Sequence, residues 1–259
     1  MQVQLIRHAT LRVSIGGLTL LVDPMLSEKD AMDPIQNASN SLRIPMVELP
    51  FSPAEILKDV DAVLVTHTHR DHWDAAATEF VPKTLPIFCQ PEDETKFKEW
   101  GYSDVRPIST ATTFKDLDIQ RTAGQHGTGE IGRKMAPVSG FVLRTDADSS
   151  LYIAGDTIYC PEVESALALY NPGTAVLNAG AAQFTTGDPI TMTALDVAKV
   201  CRTAPDTNVI AVHMEVINHC LLKRDDLRRE MKNYRFDQRV AIPGDGEILD
   251  YTQGQRTVA

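Results

Sequence analysis

A layered α/β domain, with helices outside two packed β-sheets, is the fold class this 259-residue sequence predicts. Short apolar runs fill its N-terminal part. Helix start and stop signals then alternate with further strand-like runs, and the whole pattern occurs twice, in two successive halves. The chain is long enough to bury a substantial core. It carries no low-complexity tract, internal repeat or linker, so residues 1–259 are expected to form one domain.

Taken in order, Val3–Ile6, Leu11–Ile15 and Leu18–Val22 are expected strands, with Gly16-Gly17 supplying a hairpin turn. Leu26–Phe51 is polar and broken by prolines, which predicts a long loop of the kind that is usually functional or mobile. Ala54–Lys58 is a short expected helix, and Ala62–Val65 a buried strand. Asp74 is placed to cap a helix over Ala75–Val81 that Pro82 stops. Leu85–Phe88 is the next strand, and Pro91 opens a helix over Glu92–Trp100 that Gly101 closes. Phe141–Arg144 and Leu151–Ala154 are expected to pair as a hairpin across Asp146–Asp148. Helices at Ala194–Arg202 and Arg224–Lys232 flank a strand at Val209–Val212.

Composition bounds the function. With 43% hydrophobic and 23% charged residues the chain is an ordinary globular protein. Its formal net charge of -10 opposes general nucleic-acid binding. No apolar run reaches the length of a membrane-spanning helix, and the first residues lack a signal-peptide layout. Cys89, Cys160, Cys201 and Cys220 form no CxxC pair, which suits four reduced thiols in a cytoplasmic protein. The expected partner is a small-molecule substrate, with no nucleic acid and no membrane; self-association into a homo-oligomer is left open.

The chemistry concentrates in His67-Thr-His69-Arg-Asp71-His72, directly after the apolar strand. In extended backbone, side chains two apart point the same way, so His67 and His69 can converge on one ion. Asp71 and His72 lie where the chain turns and can face a second position. Imidazole with carboxylate suits zinc, manganese or iron, and the absence of nearby cysteine argues against a structural zinc site. A surface patch of histidines is the bland alternative, but three histidines and an aspartate within six residues after a buried strand outweigh it.

This segment resembles the HxHxDH signature of the metallo-β-lactamase superfamily. The resemblance extends to His126 in Gly124–Gly127, Asp156 in Ala154–Thr157 and His213 in Ile210–His213, each in the superfamily's order. It implies a four-layer αββα sandwich of two mixed β-sheets with helices outside. It also implies two divalent metal ions, zinc or manganese first and iron as an option the same donors accept. His67, His69 and His126 would hold one ion, Asp71, His72 and His213 the other, and Asp156 both. Asp23, in Leu21-Val-Asp-Pro24, resembles the superfamily's first motif, whose aspartate supports the ligands. Ile6-Arg-His8-Ala9, the hairpin after it and Val138–Phe141 look most like the UlaG-like, ascorbate-6-phosphate-lactonase-like branch.

The implied reaction is hydrolysis of an ester, lactone, amide or phosphodiester by a hydroxide held between the ions. Asp71 is the expected holder of the attacking water, and His219 an expected acid or base at the substrate. His8 is expected to orient a ligand, to line the pocket or to be structural. Arg133 and Lys134, in an expected glycine-containing loop, are candidates to meet an anionic substrate, although a solvated charge explains them as well. Cys160 and Cys220 lie near motif residues without any sign of activation. Two other functions use the same fold: an iron-dependent oxygenase or redox enzyme, and a non-catalytic metal-binding protein. His69 counts against the flavodiiron type, which has glutamate at that place, and the full ligand set counts against a mere binding module.

Overall fold

The structure, a computed structural model, describes residues 1–145 and 150–251 and the backbone of 257–258. Its first sheet has the N-terminal strands β1 (Gln2–Arg7), β2 (Thr10–Ile15) and β3 (Leu18–Val22), then β4 (Ala62–Val65), β5 (Ile87–Cys89) and β6 (Val105–Pro107). The second sheet contains β7 (Ala111–Phe114), β8 (Leu117–Ala123), β9 (Ser139–Arg144), β10 (Ser150–Ile153), β11 (Thr174–Asn178), β12 (Asn208–Val212) and β13 (Val240–Ala241). The chain then returns through β14 (Ile248–Asp250) and β15 (Thr257–Val258) to the edge of the first sheet beside β1. Both sheets are mixed: β3 to β6 run parallel, as do β10 to β13, and the remaining neighbours are antiparallel.

Alternation along the strands explains the layers. Leu5, Leu11, Val13, Leu20 and Leu64 of the first sheet meet Ile119, Phe141, Leu143, Ile153 and Ile210 of the second in the central core. The opposite face of the first sheet, with Ile6, Leu21, Val63 and Val65, is covered by α1 (Pro53–Leu57), α2 (Ala75–Phe80) and α3 (Glu94–Glu99). The outer face of the second, with Tyr152, Ala175, Leu177 and Val209, is covered by α5 (Pro161–Tyr170), α6 (Ala194–Thr203) and α7 (Arg224–Tyr234). A short α4 (Gly129–Met135) buries no residue. The four-layer αββα sandwich implied by the resemblance is the observed fold.

Local signals act as expected where capping is strong. Asp74 accepts the Ala77 N–H at 2.7 Å and starts α2, and Ser52 with Glu55 forms a complete capping box on α1. The helix expected over Glu92–Trp100 is instead a 3₁₀ turn at Pro91–Asp93 followed by α3. Asp93 explains the break: its carboxylate is held by Gln90, Thr68 and Lys96, which fixes the first turn in place. β9 and β10 pair antiparallel as expected; the turn expected at 146–148 lies outside the described residues. Arg133 and Lys134 sit on α4 rather than in a loop, because Gly132 N–H bonds back to Thr128 and Ala136 N–H to Gly132.

The stretch from Leu26 to Phe51 is a long connection, but it is pinned and partly buried. Fully buried Arg7 donates to the carbonyls of Met25 (3.0 Å), Ser27 (2.7 Å) and Val47 (3.2 Å), tying both ends of the loop to the end of β1. Ile44 and Met25 pack on Val216 and Ile217, so the loop closes over the chain segment that follows His213.

Candidate metal centre

The conserved geometry of parallel sheets places loops with chemistry at the carboxyl ends of strands. Here Asp23 follows β3, Thr66 and His67 follow β4, His126 comes three residues after β8, Asp156 three after β10, and His213 directly after β12. Gly155 makes the approach of Asp156 feasible. Its φ is +67°, and a Cβ there would lie 2.5 Å from the Ser139 carbonyl oxygen, so no other residue fits without displacing β9.

These loops bring all seven side chains together. His67 Nε2 and His69 Nδ1 are 2.9 Å apart, and His126 joins them within one cluster. Asp71, His72 and His213 form a second cluster, which also contains His8. Asp156 stands between the two. Its Oδ2 is 3.3 Å from His126 Nε2, 3.3 Å from His72 Nε2 and 4.0 Å from His67 Nε2, while Oδ1 is 3.2 Å from His213 Nε2. His67, His72, His126, Asp156 and His213 are buried, and His69 is half-buried, which marks the side from which the centre opens.

The outward faces of the imidazoles are held. His72 Nδ1 lies 2.8 Å from Asp23 Oδ2, and His126 Nδ1 2.8 Å from the Ile190 carbonyl. Thr66 Oγ1 is 3.1 Å from His67 Nδ1, and Cys220 Sγ is 3.6 Å from His213 Nδ1. Asp23 also accepts the Thr66 N–H and hydroxyl, both at 2.7 Å, so one carboxylate organises the strand end and a histidine together. Asn178 donates to Asp156 Oδ1 at 2.7 Å. The inward nitrogens are a different matter: His72 Nε2 and His213 Nε2 are buried without a hydrogen-bond partner. Orphaned imidazole nitrogens aimed at two carboxylates, each backed on its other nitrogen, are what a divalent cation requires, and this donor set fits zinc, manganese or iron.

Without a cation the cluster divides electrostatically. Burial first, and the neighbouring His213 next, drive His8 down to about 3. Burial is also the largest cause lowering His67, His69 and His126. His72 goes the other way, up to about 10: burial opposes its charge, but Asp156, Asp23 and Asp71 outweigh burial. Asp71 and Asp156 stay well below the usual carboxylate range despite their burial: His72 is the largest cause lowering Asp71, and His213 followed by His72 lowers Asp156.

These directions predict a pH response for chelator-treated protein. Four histidines have folded-state values below 6.5, so the unfolded chain takes up protons that the folded chain refuses as pH falls from 6.5. Their contribution to stability is therefore present above about pH 6.5 and is lost on acidification, by at most about 1.4 kcal/mol per pH unit for each fully titrating group. His72 and His213 are raised and act in the opposite sense, but their contribution changes only above about pH 6.5. The urea midpoint of the metal-free protein should therefore still be lower at pH 5 than at pH 7. An equal or higher midpoint at pH 5 would contradict this charge arrangement.

Sequence reasoning found the seven converging residues and Asp23. It left His8 open, and the structure puts it in the second cluster, 3.3 Å from Asp71 Oδ2. His219 lies outside both clusters: it is 95% buried, its ring 5.8 Å from Phe184. Asn178 and Thr66 were missed. Thr66 immediately precedes the histidine segment and could have been suspected; Asn178 carried no signal, since only the packing of β11 beside β10 brings it to Asp156. Cys160 is buried at the start of α5, and burial raises its thiol. Cys220 is the half-exposed cysteine and backs His213.

A cleft of about 820 Å³ is lined by Asn37, Thr128, Ile131, Lys134, Phe184 and Asp188 among others, and the Phe184 ring in its wall lies 5.8 Å from that of His219. Lys134 is engaged by Glu130 at 2.7 Å, and Thr128 reaches Asp188 at 3.5 Å.

Fold and site together define a metal-dependent hydrolase of the metallo-β-lactamase superfamily, and the chain belongs to the β-lactamase superfamily domain family, which it matches over residues 19–214. Within that superfamily it is similar to UPF0173 proteins: it is 35% identical over 254 residues to YddR of Bacillus subtilis, covering 97% of this chain and 100% of YddR. A UPF0173 metal-dependent hydrolase of Methanopyrus kandleri is 25% identical, covering 96% of this chain and 100% of the relative. Among solved structures, isothiocyanate hydrolase from Delia radicum gut bacteria is 36% identical with a TM-score of 0.93, each chain covered in full. A possible metal-dependent hydrolase from Veillonella parvula is 35% identical with the same TM-score, 96% of this chain and 98% of the other being covered.

Proposed function

We propose that this chain is a dinuclear-metal hydrolase of small neutral electrophiles, with isothiocyanates the first substrate class to test. His67, His69 and His126 would hold one ion, Asp71, His72 and His213 the other, and Asp156 both. When bound, two such ions supply ionisation of water near neutral pH and polarisation of the bond under attack. The observation that carries the hydrolytic reading is the convergence of two histidine clusters on one buried carboxylate, Asp156.

Two findings support the substrate class. The full-length similarity to an isothiocyanate hydrolase is one. The other is the charge of the cleft, where Lys134 is paired with Glu130 and Asp188 adds a further negative charge. A phosphodiester or carboxylate would enter this lining against net negative charge, so the anionic-substrate role considered for Lys134 is disfavoured; Ile131 and Phe184 offer apolar contact instead. Isothiocyanate hydrolysis joins the water oxygen to the central carbon and breaks the carbon–nitrogen bond. Both water protons end on nitrogen, giving an amine and carbonyl sulfide. Asp71 is suited to hold the water and take its proton, and His219, beside the cleft residue Phe184, to deliver a proton to nitrogen. The four free cysteines, three of them buried, support a reducing cytoplasmic setting. No helix among the described residues is long and apolar enough to cross a membrane.

The test is metal analysis followed by turnover of alkyl and aryl isothiocyanates, lactones, amides and phosphodiesters on the same preparation, with amine and carbonyl sulfide measured. Two ions per chain and release of both products are the expected result. Turnover of phosphodiesters alone would overturn the substrate class, and full activity after exhaustive chelation would overturn the metal reading. His219→Ala should lower kcat by about 10²-fold or more with both ions retained. An unchanged kcat would return His219 to a packing role.

A further inference from the structure

His8 was not among the proposed ligands, yet its imidazole stands inside the second cluster. It is fully buried, its Nε2 lies 3.3 Å from Asp71 Oδ2, and its ring lies tilted against that of His213 with centroids 3.6 Å apart. The backbone places it there deliberately. His8 has φ +61° between β1 and β2, His213 has φ +72° after β12, and the His213 N–H donates to the His8 carbonyl at 3.0 Å. One left-handed residue at the end of each sheet thus joins the two sheets across the centre. Non-glycine residues adopt this conformation at a cost, and histidine is among those that tolerate it best.

Two roles compete: a third imidazole on the second ion, or a hydrogen-bond donor that holds Asp71. The far nitrogens separate them. His67, His72, His126 and His213 each have a partner on Nδ1, respectively Thr66, Asp23, the Ile190 carbonyl and Cys220. His8 Nδ1 is buried with none. A ligating histidine carries its remaining proton on the far nitrogen and gives it to an acceptor. For His8 that proton would be a buried, unsatisfied N–H. The tautomer with hydrogen on Nε2 donates to Asp71 instead and leaves only a bare acceptor at Nδ1, and unpaired buried acceptors are less rare than unpaired buried N–H groups.

We infer that His8 is a positioning residue that donates Nε2–H to Asp71 Oδ2 and fixes the carboxylate that, on the function proposed above, holds the second ion and the attacking water. The hydrogen bond takes one lone pair of Oδ2, packing against His213 restricts the imidazole, and Asp71 is left with one orientation. His8 then controls a ligand from a strand, β1, that carries no ligand of its own.

The test uses His8→Ala, His8→Asn and His8→Gln beside the full-length parent, each loaded with cobalt(II). Glutamine can place an amide N–H near the position of Nε2; asparagine is too short to reach. The expected result is that the alanine and asparagine variants bind the second ion about 10–100-fold more weakly. The first ion and the cobalt spectrum at saturation should be unchanged, and glutamine should restore most of the affinity. Loss of the second ion in all three variants with an altered saturated spectrum would overturn the inference in favour of ligation. Unchanged affinities with only a lower Tm would overturn it in favour of packing. Nitrogen-15 NMR of chelator-treated parent protein keeps the question separate from the metal reading: hydrogen on Nε2 of His8 supports the inference, and hydrogen on Nδ1 refutes it. If the parent binds no cobalt, it is the proposed function that fails, and the tautomer still decides whether His8 holds Asp71.

Discussion

Asp156→Asn is expected to abolish turnover and to remove both ions from the purified protein. Among the described residues Asp156 is the carboxylate that reaches both clusters: its Oδ2 stands 3.3 Å from His126 of the first and from His72 of the second, and its Oδ1 3.2 Å from His213 of the second. Asparagine keeps the shape and can still present an oxygen to Asn178, so a folding failure is not the expected cause. The charge is what goes. Replacing groups that merely support a ligand costs roughly 10–100-fold in affinity or activity, and a ligand shared by two ions must exceed the upper end of that range. Metal content by mass spectrometry and kcat on one sample decide the matter. A variant that keeps two ions and normal turnover would mean that Asp156 does not join the sites.

Asp23→Ala should produce a large loss of stability without removing a group that would touch an ion. Asp23 is buried and accepts three hydrogen bonds, from the Thr66 N–H, the Thr66 hydroxyl and His72 Nδ1. Alanine leaves all three donors buried beside a small void. Breaking a buried charged pair costs about 3–5 kcal/mol, and each orphaned donor adds about 1–3 kcal/mol before relaxation. Because these terms overlap, the expected loss is about 3–5 kcal/mol in metal-free protein, read from urea denaturation. Metal affinity should fall as well, since His72 loses the partner that sets its tautomer. Asp23→Asn should fall between the two: its oxygen can serve one donor, while its amide group meets another donor. A loss below about 1 kcal/mol for alanine, the value of an ordinary hydrogen bond, would show that Asp23 is peripheral.

The extent to which this site was legible follows from how local each signal is. Spacing along one strand end is sufficient to aim His67 and His69 together, because side chains in extended chain repeat every two residues. The first three strands and the capped helix α2 were legible for the same reason, each resting on a run of adjacent residues or on one capping side chain. β7 and β8 were missed: Ala111–Phe114 and Leu117–Ala123 are largely polar, and their strand character comes from pairing with each other and with β9. α5 and β11 were missed too, and their burial pattern makes sense only once the second sheet and its covering helices exist. Tertiary context overrides weak propensity in such segments.

The sequence by itself determined the family, the order of the metal-binding candidates and the two-sheet architecture, because each rests on residue identity and on spacing within a few positions. The tertiary structure decided everything that depends on two distant strands meeting. It put His8 of β1's end against Asp71 and His213, Asn178 of β11 against Asp156, and Cys220 behind His213. It also turned an apparently polar loop into a pinned cover, through three carbonyls held by a buried arginine. The physical reason is common to all of these: an imidazole, amide or guanidinium acquires its role from the partner it reaches. Those partners lie far away in the chain, brought close only by the register of the sheets and the packing between them.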